Sequence, residues 1–412
     1  MTLHGVLRGP AEITFGRGAA RSLGSLVASL GRRAAVCTDA VVMAQPHVAA
    51  AFDTLREAGV ETVVFDGAEP ELPLHCVEQA VAAVGPLSGI DVVVGIGGGS
   101  AIDLAKLVAL LARHPGPLER YYGENAVPGP CLPVVALPTT AGTGSEVTPV
   151  AVIGDPSREL KVGISSPHLI PRLALCDPEL TLTCPPSVTA FSGIDALAHA
   201  VEAFTSSTRA PDWSVYPRDI FQGKNPFSDA YALVAAGAIS RSLERAVSSG
   251  DEIDARESML YGSLHAGLAF GNAGTGGAHA LQYAVGAASH TPHGLGVGLL
   301  LPYVLSYTRS ACAPELRRLA EAFGVAEPDP DEPRAAIDEI VRLAAAVGVP
   351  RTLAEIGIAE DALPHLADQA SGIARLLRNS PRPLDRDALL EILQAAHRGE
   401  LLGLPTTNEG AR

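Results

Sequence analysis

The stretch FSGIDALAHAVEAF, residues 191–204, is mostly small and apolar, yet it carries Asp195 and His199 four apart. On a helix, residues four apart share a face. A carboxylate and an imidazole would therefore stand side by side in surroundings where a lone carboxylate costs on the order of several kcal/mol. Either the two satisfy each other or both hold a third partner, such as a metal ion. A second segment, GTGGAHALQYAVGAASHTPHG (274–294), adds His279, His290 and His293. One aspartate with two or three histidines is a common ligand set for a divalent transition metal. The plainer reading is a hydrogen-bonded Asp–His pair inside a core. Two such segments in one apolar region favour the metal, and spacing alone leaves open which histidines join.

A different chemistry is written upstream. GIGGGSAIDLAK (95–106) follows a strand-like run and opens a helical one. Glycines at such a junction let the backbone approach a phosphate, and the helix N-terminus supplies free N–H groups. Ser100 fits either a cap or a phosphate contact. The run is neither GxGxxG nor a Walker loop, and a structural turn would also explain it. The next strand-like run ends in PTTAGTGSEVTPVAV (138–152), which carries Thr139, Thr140, Thr143, Ser145 and Thr148. Ligands of open α/β sheets bind at the C-terminal ends of strands, so two polar, glycine-bearing ends reinforce each other and favour a dinucleotide. Asp39 closes the strand-like run AAVCTD (34–39). It either accepts hydrogen bonds from an adenosine ribose or caps the turn that follows.

These residues need a frame. AAVCTD (34–39), ETVVFDG (61–67), DVVVGIGGG (91–99) and CLPVVALP (131–138) read as strands, separated by the helical patterns GAARSLGSLVASLG, QPHVAAAFDTLREAG, LHCVEQAVAAVG and SAIDLAKLVALLARH. Strand alternating with helix implies a parallel sheet flanked by helices. Near Cys184–Pro185–Pro186 the strand signal gives way to long apolar helical patterns. This predicts an α/β dinucleotide-binding domain over 1–185 and an all-α metal-binding domain over 186–412. The segment 207–229 is a polar, aromatic excursion between helices. Its Trp213, Tyr216, Arg218, Phe221 and Lys224 fit either a surface loop packed by its own aromatics or a loop that reaches the cleft, where Arg218 and Lys224 would favour a polar or anionic substrate.

Bulk properties narrow the function. A chain of 412 residues with 47% hydrophobic content is long enough for two domains with a large core. The formal charge of −15 argues against nucleic acid or an anionic membrane as partner. The six cysteines form no CxxC pair and read as reduced core residues of a cytoplasmic protein. No run is long and apolar enough to suggest a membrane span.

ITFGRGAARSL (13–23), GIGGGSAIDLAK, PTTAGTGSEVTPVAV, and FSGIDALAHAVEAF with HTPHG occur in an order that resembles the iron-containing (group III) alcohol dehydrogenases, a branch of the dehydroquinate synthase-like fold. The resemblance covers nearly the whole chain. It implies that Asp195, His199, His279 and His293 are the metal ligands, choosing His293 over His290. It implies a pyrophosphate loop at Gly97, Gly98, Gly99 and Ser100 with Asp103 behind it, a nucleotide cleft lined by Thr139, Thr140, Thr143 and Lys161, and selection of NAD over NADP by Asp39. Tyr283 stands where many relatives have a further histidine near the substrate. The implied activity is hydride transfer between NAD(H) and an alcohol/aldehyde pair, with Fe²⁺ or, second, Zn²⁺ polarising the substrate oxygen, in a homo-oligomer such as a dimer. Two rivals share the superfamily: a dehydroquinate synthase-like lyase and a metal-free maleylacetate reductase. The lyase would need basic residues for a phosphorylated substrate, yet 266–308 contains no arginine and 225–412 no lysine. The ligand set argues against the metal-free reductase.

Overall fold

A computed structural model describes residues 4–210, 213–214, 219–326 and 333–404. Six strands form a parallel sheet: β1 (Glu12–Phe15), β2 (Arg33–Cys37), β3 (Glu61–Phe65), β4 (Val92–Gly97), β6 (Val134–Pro138) and β9 (Leu173–Cys176), in the order β1-β9-β6-β4-β2-β3. A smaller sheet of β5 (Gly123–Glu124), β8 (Val162–Ser165) and β7 (Val150–Ile153) lies in the order β5-β8-β7. The strands expected around 34–39, 61–67, 91–99 and 131–138 are present with trimmed ends. β1, β9 and the smaller sheet were not foreseen.

Side chains alternate across a strand, and here both sides are buried. Ala34, Val36, Val92 and Val94 enter one core with Leu23, Val27 and Leu55, from α1 (Leu23–Leu30) and α3 (Pro46–Glu57). Ala35, Cys37 and Val93 enter the other with Val77, Leu104 and Leu107, from α4 (Leu74–Val84) and α5 (Gly99–Arg113). Burial on both faces is why these strands read as continuous apolar runs rather than alternating ones. A one-turn helix, α2 (Ala40–Met43), follows β2.

After β9 the chain is helical. The helices are α6 (Pro186–Thr205), α7 (Pro226–Ser248), α8 (Ile253–Ala273), α9 (Gly277–Ser289), α10 (His293–Thr308), α11 (Ala313–Phe323), α12 (Ala335–Ala346), α13 (Leu363–Ser371), α14 (Ala374–Leu377) and α15 (Arg386–Arg398). They surround a third core. α6 starts at Pro186, whose missing N–H costs nothing in a first turn, and its centre is buried between α7, α8 and α10. The two parts meet without a gap: Gly144, at φ +59°, lies so close to α8 that a methyl group there would come within 2.5 Å of Gly267 Cα. All six cysteines are free. No helix among the described residues is long and apolar enough to cross a membrane.

Between α6 and α7 the excursion is closed by a bridge from Thr208 to Gly223. Arg218 and Tyr216 lie outside the described residues. Lys224 does not reach the cleft. Its ammonium pairs with Asp229 at 2.7 Å, donates to Phe204 O at 3.1 Å and sits 4.0 Å above the Phe204 ring. A loop lysine with a carboxylate on the following helix has a local partner, and that partner holds it.

Candidate metal and dinucleotide site

α6 presents Asp195, His199 and Glu202 on one buried face, at spacings of four and three. α9 brings His279 from its first turn, and α10 begins with His293. Asp195 Oδ1 lies 3.5 Å from His279 Nε2 and 3.9 Å from His293 Nε2, and Asp195 Oδ2 lies 4.0 Å from His199 Nδ1. Asp195 Oδ1, His199 Nδ1 and His279 Nε2 are buried with no hydrogen-bond partner, which is costly unless something else satisfies them. One donor atom from each of Asp195, His199 and His279 falls within 4.8 Å of the others. Donors bound to one ion at about 2.0–2.2 Å stand roughly 3–3.6 Å apart, so this is a cage slightly open around a centre of that size. His290 is the left-handed, exposed C-cap of α9 and stays outside the cluster.

The electrostatics ask for a cation at the same point. Burial alone would raise the Asp195 carboxyl, but the three imidazoles around it hold it well below the usual range. Burial pushes His199 down to about 4 and His293 to about 3, so both keep a lone pair to donate. His279 goes the other way. Burial lowers it, but Glu202 and Asp195 together raise it to about 9. Glu202 is the residue the sequence reading passed over. It accepts the Gly276 N–H at 2.8 Å and the Ala278 N–H at 2.7 Å, and it sits 2.6 Å from His279 Nδ1. Its spacing on α6 was the available signal. Phe270 stacks on His199 with ring centroids 4.1 Å apart, closing one side.

The predicted nucleotide residues gather at the C-terminal ends of three neighbouring strands. β4 runs into Gly98 and α5, whose N-terminus has no side-chain cap, leaving its N–H groups for an anion. Beside it, the loop after β6 lays Thr143 over Gly99. A methyl group on Gly99 would meet Thr143 Cγ2 at 2.7 Å, so only glycine keeps this cradle open. Thr139 N donates to Gly97 O at 2.9 Å, and Thr140 lies next to Gly98. Asp39 caps the turn that follows its strand and also faces the glycine loop. One oxygen caps α2 by accepting the Val42 N–H at 2.8 Å. The other lies 3.8 Å from where a Gly97 side chain would begin. Asp103 is more structural than foreseen: its oxygens accept from Ser145 Oγ and from Val152 N at 2.9 Å, with Lys106 Nζ 3.6 Å away. It thereby ties α5 to the following loop. Lys161 is ion-paired with Glu71 at the cleft.

One cavity joins the two halves. Gly99, Ser100 and Thr143 line one side, Asp195, His199, His279 and His293 another, with Lys161 and Tyr283 between. A second cavity shares Lys161, Tyr283 and His293 with it. Asp39, Gly97, Thr139 and Thr140 stand beyond its rim.

An uncapped helix N-terminus facing an Asp–His cage across a shared cavity is the arrangement of a metal-dependent, dinucleotide-linked oxidoreductase. The chain belongs to the iron-containing alcohol dehydrogenase family: residues 10–178 match the iron-containing alcohol dehydrogenase model, and 189–397 match the family's C-terminal model. It is 39% identical to long-chain-alcohol dehydrogenase 1 of Geobacillus thermodenitrificans, over 89% of this chain and 90% of that one. It is 34% identical to the NAD-dependent methanol dehydrogenase of Bacillus methanolicus, over 88% and 92%. Among solved structures, a 1,3-propanediol oxidoreductase superposes with a TM-score of 0.87 at 33% identity, covering 95% of this chain and all of the other.

Proposed function

We propose that the protein interconverts primary alcohols and aldehydes with NAD and a ferrous ion, residues 1–185 holding the dinucleotide and 186–412 the metal. The observation that carries this is the convergence of unpartnered Asp195, His199 and His279 atoms on a cavity that also reaches the Gly99–Ser100 helix start. Asp195, His199, His279 and His293 are the metal ligands. The family's own description favours iron, and nothing in the comparisons speaks for zinc. The relatives named above act, by name, on long-chain alcohols, on methanol and on 1,3-propanediol.

Bound in the cage, the ion supplies Lewis-acid stabilisation of the alcohol oxygen, and the nicotinamide supplies the hydride acceptor. The chain does the rest. Glu202 engages His279 at Nδ1, and on metal binding His279 would give up its Nε2 proton and turn that nitrogen to the cage. The α5 N-terminus and Thr143 receive the pyrophosphate, and Asp39 reads the adenosine ribose. Phe270 keeps water from one side of the cage. Tyr283 offers a hydroxyl on the cavity wall, its ring centroid 6.2 Å from that of His293. In balance, the alcohol loses a hydride to NAD⁺ and a proton to solvent and leaves as an aldehyde.

The test is NADH formation from a panel of primary alcohols, followed by absorbance, with chelator-treated and ferrous-reconstituted protein. Turnover restored by the ferrous ion supports the reading. Equal turnover without metal, or none with any alcohol or aldehyde in either direction, overturns it.

A further inference from the structure

The cavity wall contains a cation that the catalytic reading does not use. Arg375, on α14, lines the cavity together with Phe221, Thr275 and Leu376. α14 packs against α9, the helix that supplies His279 and Tyr283, so this side chain belongs to the metal half of the cleft. Its guanidinium carbon lies 5.5 Å from the centre of the Phe221 ring. Gly163 lies beside it: a methyl group there would be in ordinary contact, 3.5 Å from an Arg375 nitrogen.

The neighbouring cations are all neutralised. Lys161 pairs with Glu71. Arg378 pairs with Glu124 at 2.9 Å. Arg209 faces Asp219 at 3.9 Å and donates to Asn379 and to Phe221 O. Among the described residues no carboxylate or hydrogen-bond acceptor is recorded for Arg375. The protein is strongly acidic, with a formal charge of −15, so acceptors are plentiful elsewhere on its surface. A guanidinium left without a carboxylate in a partly apolar cavity is set for an anion that arrives with a ligand, and its planar fork matches a carboxylate or sulfonate.

We propose that Arg375 binds an anionic group at the far end of the substrate, making hydroxyalkyl carboxylates or sulfonates, and the matching aldehydes, the preferred substrates. This rests on the alcohol dehydrogenase reading above and narrows it. A rival role for Arg375, contact with the dinucleotide, would affect every substrate alike.

The experiment compares kcat/KM for ω-hydroxycarboxylates of two to six carbons with that for primary alcohols of the same length, at saturating NAD⁺, in wild type, Arg375→Met and Arg375→Lys. The proposal expects the wild type to favour the acid at one or more lengths. It expects the acid-to-alcohol ratio to fall on the order of tenfold to a hundredfold in Arg375→Met, the worth of a hydrogen bond to a charged group, with partial recovery in Arg375→Lys. Turnover of the plain alcohols reports that the variants are folded. A wild type that prefers plain alcohols at every length, or a ratio unmoved by Arg375→Met, overturns the proposal while leaving the alcohol dehydrogenase reading intact. A wild type that oxidises neither series overturns both.

Discussion

At the scale of single residues, Glu202 shows how much of the site depends on a side chain that would touch no substrate. A buried carboxylate on an apolar helix is expensive, and here two backbone N–H groups and the His279 ring offset that cost. Glu202→Gln keeps the shape but turns one acceptor into a donor that faces donors. Metal affinity, measured by chelator competition, is expected to fall on the order of tenfold to a hundredfold while circular dichroism stays that of the wild type. Unchanged affinity would show that the His279 orientation is set elsewhere. Asp195, His199 and the histidine-rich segment after it stood out because a carboxylate and imidazoles have few other uses in an alanine-rich core, but the set of four, with His293 rather than His290, came only from the family resemblance. Glu202 was legible in principle, as the third polar residue on the same face, but a helical glutamate is ordinarily solvated and drew no notice. Arg375 was not legible at all. It belongs to no motif, and only the packing of α14 on α9 brings it to the cavity. Lys224 looked equally available in sequence, yet Asp229 holds it away.

At the scale of elements, the sheet was readable where its strands are buried on both faces, because such strands are apolar throughout. β1, β7 and β8 are four residues each and only partly buried. β1 exists by pairing with β9, far along the chain, and short-range pattern carries no trace of such a pairing. The register of β2, β4 and β6 puts Asp39, the glycine run and the threonine loop at one edge, which gives Asp39 its consequence. No lysine or arginine lies between Ala34 and Leu55 to meet a 2′-phosphate. That group would bring about two negative charges against the carboxylate. Asp39→Asn preserves the cap on α2, since asparagine accepts from the same N–H, and removes the charge. The ratio of kcat/KM for NADP to that for NAD is expected to rise on the order of tenfold or more. A wild type that prefers NADP, or a ratio that does not move, would place Asp39 away from the adenosine.

At the scale of the whole molecule, neither half holds a complete site. The sheet edge can cradle a dinucleotide and the helices can hold an ion, but the cavity that joins them exists because the 142–144 loop packs on α6 and α8. A methyl group on Gly142 would meet Ser192 Cβ at 2.5 Å, as one on Gly144 would meet Gly267. This continuity makes the cage the central claim. It is tested most directly by elemental analysis of protein purified under reducing, anaerobic conditions, wild type beside His279→Ala. The account predicts close to one iron per wild-type chain, and a variant that is folded by circular dichroism but retains little of it. Full iron occupancy in His279→Ala, or a wild type that takes up no divalent metal when ferrous ion is supplied, would contradict it.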